Sequence, residues 1–240
     1  MKDIRAIILA GGKGTRLKPY TTVFPKPLMP IGDMPILEVV LRQLKSFGFE
    51  KITISVNHLA DLIKTFFGDG RKLGLDITYC IEDKPLGTAG SISLVENLTE
   101  HFLVMNGDLL TTLDYGQMMR NHIDSKAAAT IGVFPREVKI DFGVLELGQK
   151  GELIQYKEKP RFEYLVSMGV NAFDKSALEF IPKSQYLDIP TLMMNLKNAG
   201  KSVLTYRSDC QWLDIGRPDD YEQALTIFEQ NKNLYLKEHH

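Results

Sequence analysis

Residues 4–17 read Ile4-Arg5-Ala6-Ile7-Ile8-Leu9-Ala10-Gly11-Gly12-Lys13-Gly14-Thr15-Arg16-Leu17. Residues 4–10 form a compact run, rich in β-branched side chains, that stops at two glycines. That is the pattern of a strand buried on both faces and feeding a glycine-rich loop, and a parallel sheet is its natural host. Downstream, Ile36, Leu37, Val40, Leu41 and Leu44 recur at helical spacing between Pro35 and Phe47, and Gly48 ends the pattern. Strands are expected over 51–56, 75–81 and 102–105, with helices over 60–67 and 89–98. This alternation predicts an open, mostly parallel α/β sheet flanked by helices.

Beyond residue 110 the pattern loosens. Strands are expected over 127–134 and 143–147, and Gly148-Gln149-Lys150-Gly151 reads as a turn leading to a partner strand over 153–158, a hairpin that adds an antiparallel extension to the sheet. An apolar run over 166–173, a helix over 175–181, a strand over 203–206 and a helix from Pro218 to about Tyr235 complete the chain. No internal repeat or low-complexity linker interrupts it, so one continuous domain over 1–236 is expected.

Composition narrows the function. The chain has 240 residues, 29 Lys plus Arg and 30 Asp plus Glu. A formal net charge of −1 offers no bulk attraction to nucleic acid or to anionic lipid, so neither is expected as a partner. The N-terminal apolar run is too short for a signal-peptide core or a membrane span, which predicts a cytoplasmic protein. Cys80 and Cys210 lack C-x-x-C spacing and are expected to be reduced thiols, with no disulfide or zinc site. The five histidines show no metal spacing, although His58 follows a strand end. Glu238-His239-His240, native or the start of a tag, plays no part in the functional reading. Oligomeric state is left open.

The glycine loop carries the chemistry. Glycines after a buried strand let backbone N–H groups turn toward a ligand and form a nest for phosphate oxygens. Arg16 adds a planar cationic fork, and Lys26 a point charge held between Pro25 and Pro27. Two cations and a nest favour a polyphosphate. The spacing is not that of a P-loop, and Gly12-x-Gly14 lacks the third glycine of the dinucleotide fingerprint. Asp33 stands where a ribose-binding acid would, but Pro25, Pro27, Pro30 and Pro35 break the crossover helix that a nicotinamide site requires.

With Gly11, Gly12, Gly14, Thr15, Arg16, Leu17, Pro19 and Thr21 followed by Pro25-Lys26-Pro27, the chain resembles the sugar-phosphate nucleotidyltransferases. The resemblance continues through 85–90 (Pro85, Gly87, Thr88), 106–108 (Asn106, Gly107, Asp108), 158–160 and 212–216, in order along the chain. It implies a Rossmann-like fold and condensation of a nucleoside triphosphate with a sugar 1-phosphate, Mg2+-dependent, releasing pyrophosphate without a covalent enzyme intermediate. Arg16, Lys26, Asp108 and Asp214 are then the catalytic residues, with Asp108 and Asp214 the metal pair. Leu9, Ala10, Gly11, Gly12, Gly14, Thr15, Glu82, Pro85, Gly87, Thr88, Asn106 and Gly107 are expected in a nucleotide-binding half, about 1–110. Gly143, Glu158, Lys159, Ser167 and Asn171 are expected at the sugar, in a half spanning about 111–236. The signature runs from Leu9 to Asp214, so an attached hexapeptide-repeat β-helix is not expected.

Two finer expectations concern specificity. Glu82 stands five residues before Gly87, where relatives selective for uracil or thymine often carry Gln. A carboxylate only accepts hydrogen bonds, which suits the adjacent N1–H and N2–H donors of guanine, so GTP is expected. At the sugar, Ser167-Met168-Gly169-Val170-Asn171 replaces the usual N-A-G-I-Y and Phe142-Gly143 the usual Y-G, leaving the sugar open among mannose-, heptose- and glucosamine-like 1-phosphates. The alternatives are a cytidylyl-, uridylyl- or thymidylyltransferase and, less favoured, a non-catalytic nucleotide-sugar-binding subunit. Retention of all four catalytic residues argues against the last.

Overall fold

The opening run forms the first strand of a seven-stranded sheet in a computed structural model that describes residues 1–12, 14–57 and 59–237. His58 and residues 238–240, considered above, lie outside the described residues. In chain order the first half comprises β1 (Arg5–Leu9), β2 (Pro30–Ile31), β3 (Met34–Pro35), α1 (Ile36–Ser46), β4 (Lys51–Val56), α2 (Ala60–Phe67), β5 (Asp76–Ile81), α3 (Gly87–Gly90) and β6 (His101–Asn106). Then come β7 (Leu109–Thr111), α4 (Tyr115–Ser125), β8 (Ala129–Lys139), β9 (Val144–Leu147), β10 (Leu153–Lys157) and β11 (Arg161–Asp174). The chain closes with α5 (Ile189–Asn198), β12 (Val203–Arg207), β13 (Trp212–Asp214) and α6 (Pro218–Tyr235).

The sheet order is β12-β8-β11-β6-β1-β4-β5. β6, β1, β4 and β5 are mutually parallel and β12 is parallel to β8, while β11 runs antiparallel to both β6 and β8. This is the mostly parallel, mixed sheet that the sequence predicts, and Ala6, Ile7 and Ile8 at its centre are fully buried. One face packs on α1, α2 and α4 through residues such as Leu41, Ile63 and Met118; the other packs on α3 and α5 through Ala89, Leu192 and Leu196. A third cluster ties α6 to the signature loop, with Phe228 and Ala224 against Leu17, Met29 and Ile31. The Tyr221 hydroxyl donates to the Pro30 carbonyl at 2.6 Å, so α6 braces the loop that bears Lys26.

Several expectations are corrected. The helix expected over 89–98 is the four-residue α3 followed by a 3-10 turn over Ser91–Leu94, ending where Val95 turns extended. Gly90 packs so close to the Gln185 carbonyl that this stretch is shaped by the loop leading to α5 rather than by its own periodicity. The helix over 175–181 is a 3-10 segment, Lys175–Phe180; its Asp174 cap accepts from the Ser176 N–H and Pro182 closes the far end. The hairpin β9–β10 forms its own two-stranded sheet, and the antiparallel strand within the main sheet is β11. Along α5, Met193 packs in the core while Met194 is exposed.

Candidate active site

β4 and β6 flank β1 on opposite sides, and all three strands end at the same edge, which is where parallel α/β sheets open a crevice. A cavity of about 480 Å3 occupies that position. Leu9, Ala10, Gly11 and Gly12 line it from the end of β1, and Asn106 and Asp108 from the end of β6. Lys26 and Pro27 line a second side, and Glu82, Pro85, Gly87 and Thr88 a third.

The glycine loop folds back on itself to deliver its cations. Gly14 adopts φ +58°, and a Cβ there would lie 2.9 Å from the Thr21 methyl, so only glycine fits the turn. The Thr21 hydroxyl donates to the Gly14 carbonyl at 2.7 Å and pins the next turn against the first. Thr15 is exposed at the start of a 3-10 turn that carries Arg16 outward, while Gly107 packs on β1 through an N–H to the Leu9 carbonyl at 3.0 Å. Pro25 and Pro27 bracket a further 3-10 turn in which Lys26 is 9% exposed.

The Lys26 ammonium donates to Asp108 Oδ2, while Asp108 Oδ1 is buried with no partner among the described residues. Asp214 arrives through the antiparallel β7–β13 ladder, in which it faces Leu109, and the Ile215 N–H bonds the Asp108 carbonyl at 3.3 Å. Burial, and then the Asp108 carboxylate, push the Asp214 carboxyl above the usual range, against the pull of Lys26 and Arg16. The Arg16 guanidinium lies over Gly216, where a Cβ would come within 3.4 Å of both terminal nitrogens. Four residues from four separate segments thus share one electrostatic neighbourhood.

A divalent cation suits this donor set. Asp108 offers a buried, unengaged oxygen, and a cation between two carboxylates relieves their mutual repulsion. Among the described residues no cluster of three or more metal-ligating side chains exists. A magnesium ion would therefore take two protein carboxylates and leave its other positions to water and phosphate oxygens.

Glu82 lines the cavity with both carboxylate oxygens already engaged. Oε1 accepts from the Ser55 hydroxyl at 2.9 Å, and Oε2 from the Leu86 N–H at 3.0 Å. Each oxygen retains a second lone pair. Gly87 at φ +75° packs against the Leu187 carbonyl, and the Thr88 hydroxyl caps α5 by accepting from the Ile189 N–H at 2.8 Å.

The residues expected at the sugar do not line this cavity. Gly143, Glu158 and Lys159 belong to the β9–β10 region, where the Glu158 carboxylate accepts from the Tyr156 hydroxyl at 3.1 Å. Ser167 is exposed at the irregularity in β11, and Asn171 is 2% exposed, with no hydrogen-bond partner for its Oδ1 among the described residues. Asn57, Ser91 and Tyr186 line the cavity without having been expected there. Tyr186 lies in the loop before α5, with its hydroxyl donating to Asp188 at 2.6 Å; no local motif marks it. Trp212 donates its indole N–H to the Met168 carbonyl at 3.0 Å.

The family model described as Nucleotidyl transferase matches residues 5–231. A UTP–glucose-1-phosphate uridylyltransferase from Synechocystis is 33% identical over 255 residues, covering 97% of this chain and 66% of that protein, so the chain spans just under two thirds of its length. A D-glycero-alpha-D-manno-heptose 1-phosphate guanylyltransferase from Aneurinibacillus thermoaerophilus is 32% identical over 224 residues, covering 92% of this chain and 96% of that protein. Among solved structures, a putative glucose-1-phosphate thymidylyltransferase from Bacillus anthracis superposes with a TM-score of 0.74 at 25% identity, covering 93% of this chain and 94% of that chain. No helix among the described residues is long and apolar enough to cross a membrane.

Proposed function

This chain belongs to the nucleotidyl transferase family, and from that premise we propose that it condenses a nucleoside triphosphate with a sugar 1-phosphate, releasing pyrophosphate and a nucleotide sugar. The observation that carries the proposal is the gathering of Arg16, Lys26, Asp108 and Asp214 around a glycine-lined crevice at the ends of β1 and β6. An oxygen of the sugar phosphate attacks the α-phosphorus, and the bond from that phosphorus to the bridging oxygen of the β-phosphate breaks. A phosphate monoester is already an anion at neutral pH, so the reaction needs alignment and charge neutralisation more than a general base.

Lys26 is nine-tenths buried and is held by Asp108 on the cavity wall, where it addresses the α-phosphate or the incoming sugar phosphate. Arg16, exposed over Gly216, takes the β- and γ-phosphates and follows the charge onto the leaving pyrophosphate. Backbone N–H groups of the glycine loop supply further donors. Asp108 and Asp214 would hold Mg2+, which neutralises phosphate charge when bound.

GTP is the triphosphate we favour. The spare lone pairs of Glu82 can accept the N1–H and N2–H of guanine, and the guanylyltransferase relative is matched over nearly its whole length. One observation favours a uridylyl or thymidylyl reading: Glu82 already serves Ser55 and Leu86, a structural duty independent of the base. The sugar is proposed to be a hexose or heptose 1-phosphate. Pyrophosphate release measured over a matrix of nucleoside triphosphates and sugar 1-phosphates with Mg2+ tests all three points. Turnover with no pair would sink the activity, and faster turnover with UTP or dTTP than with GTP would sink the base assignment.

A further inference from the structure

A second cavity, of about 530 Å3, opens beside β4 and β5, between Thr53 and Thr78 and the segment from Leu94 to Asn97. Its lining includes Arg5, Thr53, Thr78, Cys80, Glu96 and Asn97. Arg5 is the anomaly. It is 9% exposed, yet it forms no ion pair among the described residues. A guanidinium cannot shed its proton to escape burial, so its charge must be met by something else.

What meets it now is neutral. Arg5 Nη1 donates to the Thr53 hydroxyl at 3.0 Å and to the Thr78 hydroxyl at 3.3 Å, and these hydroxyls bond each other at 2.9 Å. Arg5 Nε is buried with no hydrogen-bond partner among the described residues. One nitrogen of the fork is therefore anchored to the sheet by neutral hydroxyls, and no carboxylate among the described residues pairs with the charge. A guanidinium that lines an open cavity without a counter-ion is a donor for the oxygens of a phosphate. Among the described residues the one carboxylate in the cavity wall, Glu96, is exposed and does not pair with Arg5.

We infer that this cavity is a phosphate-binding site, separate from the candidate active site, in which the Arg5 guanidinium grips a phosphate group and Thr53 and Thr78 hold the guanidinium in place. The volume exceeds what one phosphate fills, so the group arrives either free or as the monoester of a small molecule. The site is coupled to the first by construction. Thr78, Cys80 and Glu82 alternate along one face of the β5 segment, which places Thr78, the partner of Arg5, roughly 13 Å from Glu82 at about 3.3 Å per residue. Ser55, two residues beyond Thr53 on β4, donates directly to Glu82.

Equilibrium dialysis with radiolabelled inorganic phosphate, at constant ionic strength in chloride buffer, tests the inference on the full chain, with Arg5→Met, Arg5→Lys, Glu96→Gln and Arg16→Ala alongside. The expected result is a phosphate bound by the wild type and by Arg16→Ala, with affinity about tenfold weaker or worse in Arg5→Met. Glu96→Gln should bind a few-fold more tightly, because a rim charge that repels the anion is gone. Unchanged binding in Arg5→Met, or a single phosphate lost in Arg16→Ala, would overturn the site. Should Arg5→Met fail to fold, weaker binding in Arg5→Lys together with tighter binding in Glu96→Gln supports it, and no change in both refutes it. Displacement by sugar phosphates or nucleoside monophosphates at concentrations below those of free phosphate identifies a monoester as the occupant; displacement by phosphate alone identifies the free ion.

Discussion

Lys26 and Asp108, 82 residues apart in sequence, form an ion pair in the wall of the cavity, and the second Asp108 oxygen is buried without a partner among the described residues. The pair joins the glycine-loop half of the site to the end of β6. Asp108→Asn is expected to lower the rate of pyrophosphate release by about 10^2- to 10^3-fold, the scale of losing a charge-stabilising group. The Lys26→Met, Asp108→Asn double variant should be no slower than the worse single variant, because the two act as a unit. Near-normal turnover in Asp108→Asn would remove it from the site.

Arg16 rests its guanidinium over Gly216, a contact that depends on its planarity. Arg16→Lys keeps the charge and loses the fork, so kcat/KM for the nucleoside triphosphate should fall by roughly 10- to 100-fold with little change in melting temperature. A loss of stability matching the loss of activity would mark Arg16 as structural instead.

Glu82→Gln introduces a donor where guanine presents donors. The ratio of GTP to UTP turnover should drop by about tenfold, since a mispaired polar contact discriminates far more than lost apolar area. A fall in stability with an unaltered ratio would assign Glu82 to the turn that Ser55 and Leu86 already close.

Gly87 combines φ +75° with a Leu187 carbonyl that a Cβ would approach to 2.6 Å. Gly87→Ala meets strain and a backbone clash together, and is expected to cost about 2 kcal/mol or more in denaturant unfolding. Because the neighbouring Thr88 caps α5, nucleotide affinity should fall alongside.

His122 is fully buried in α4, with Nδ1 2.9 Å from the Thr130 hydroxyl. Burial first, and then nearby His101, push its pKa down to about 4, although Asp174 pulls the other way. The unfolded chain therefore takes up a proton near pH 6.5 that the folded chain refuses until about pH 4. Stability is full above pH 6.5 and is lost as pH falls through this window, by on the order of 3 kcal/mol. Urea unfolding between pH 4 and 8 should show that slope, flattened in His122→Asn; an unchanged slope would assign it to other groups.

Much of the fold was legible because it is periodic. The run ending at Leu9, the spacing of Ile36 to Leu44 in α1 and the strand of 51–56 all carry patterns that burial imposes on one chain segment. Where a segment's shape is set by a distant neighbour, the pattern misleads. The 89–98 stretch is apolar at helical spacing, yet the loop before α5 presses on Gly90 and the helix ends early. The β9–β10 hairpin was legible as a hairpin, but nothing local says that it leaves the main sheet.

For the candidate site, the sequence by itself determined the chemistry: a strand that must be buried, glycines that must turn after it, and cations and carboxylates in an order that resembles one family. Only the tertiary structure decided who meets whom. Asp214 reaches Asp108 because β13 pairs with β7, and Tyr186 joins the cavity wall because its loop packs beside Gly87 and Gly90. Glu82 is held by Ser55 because β4 and β5 pair in register, and that same pairing gives the buried Arg5 two threonine hydroxyls in place of a counter-ion among the described residues. Side-chain type and local period are properties of a segment. Contacts across many tens of residues follow from which surfaces the whole chain buries together, and no single stretch records that outcome.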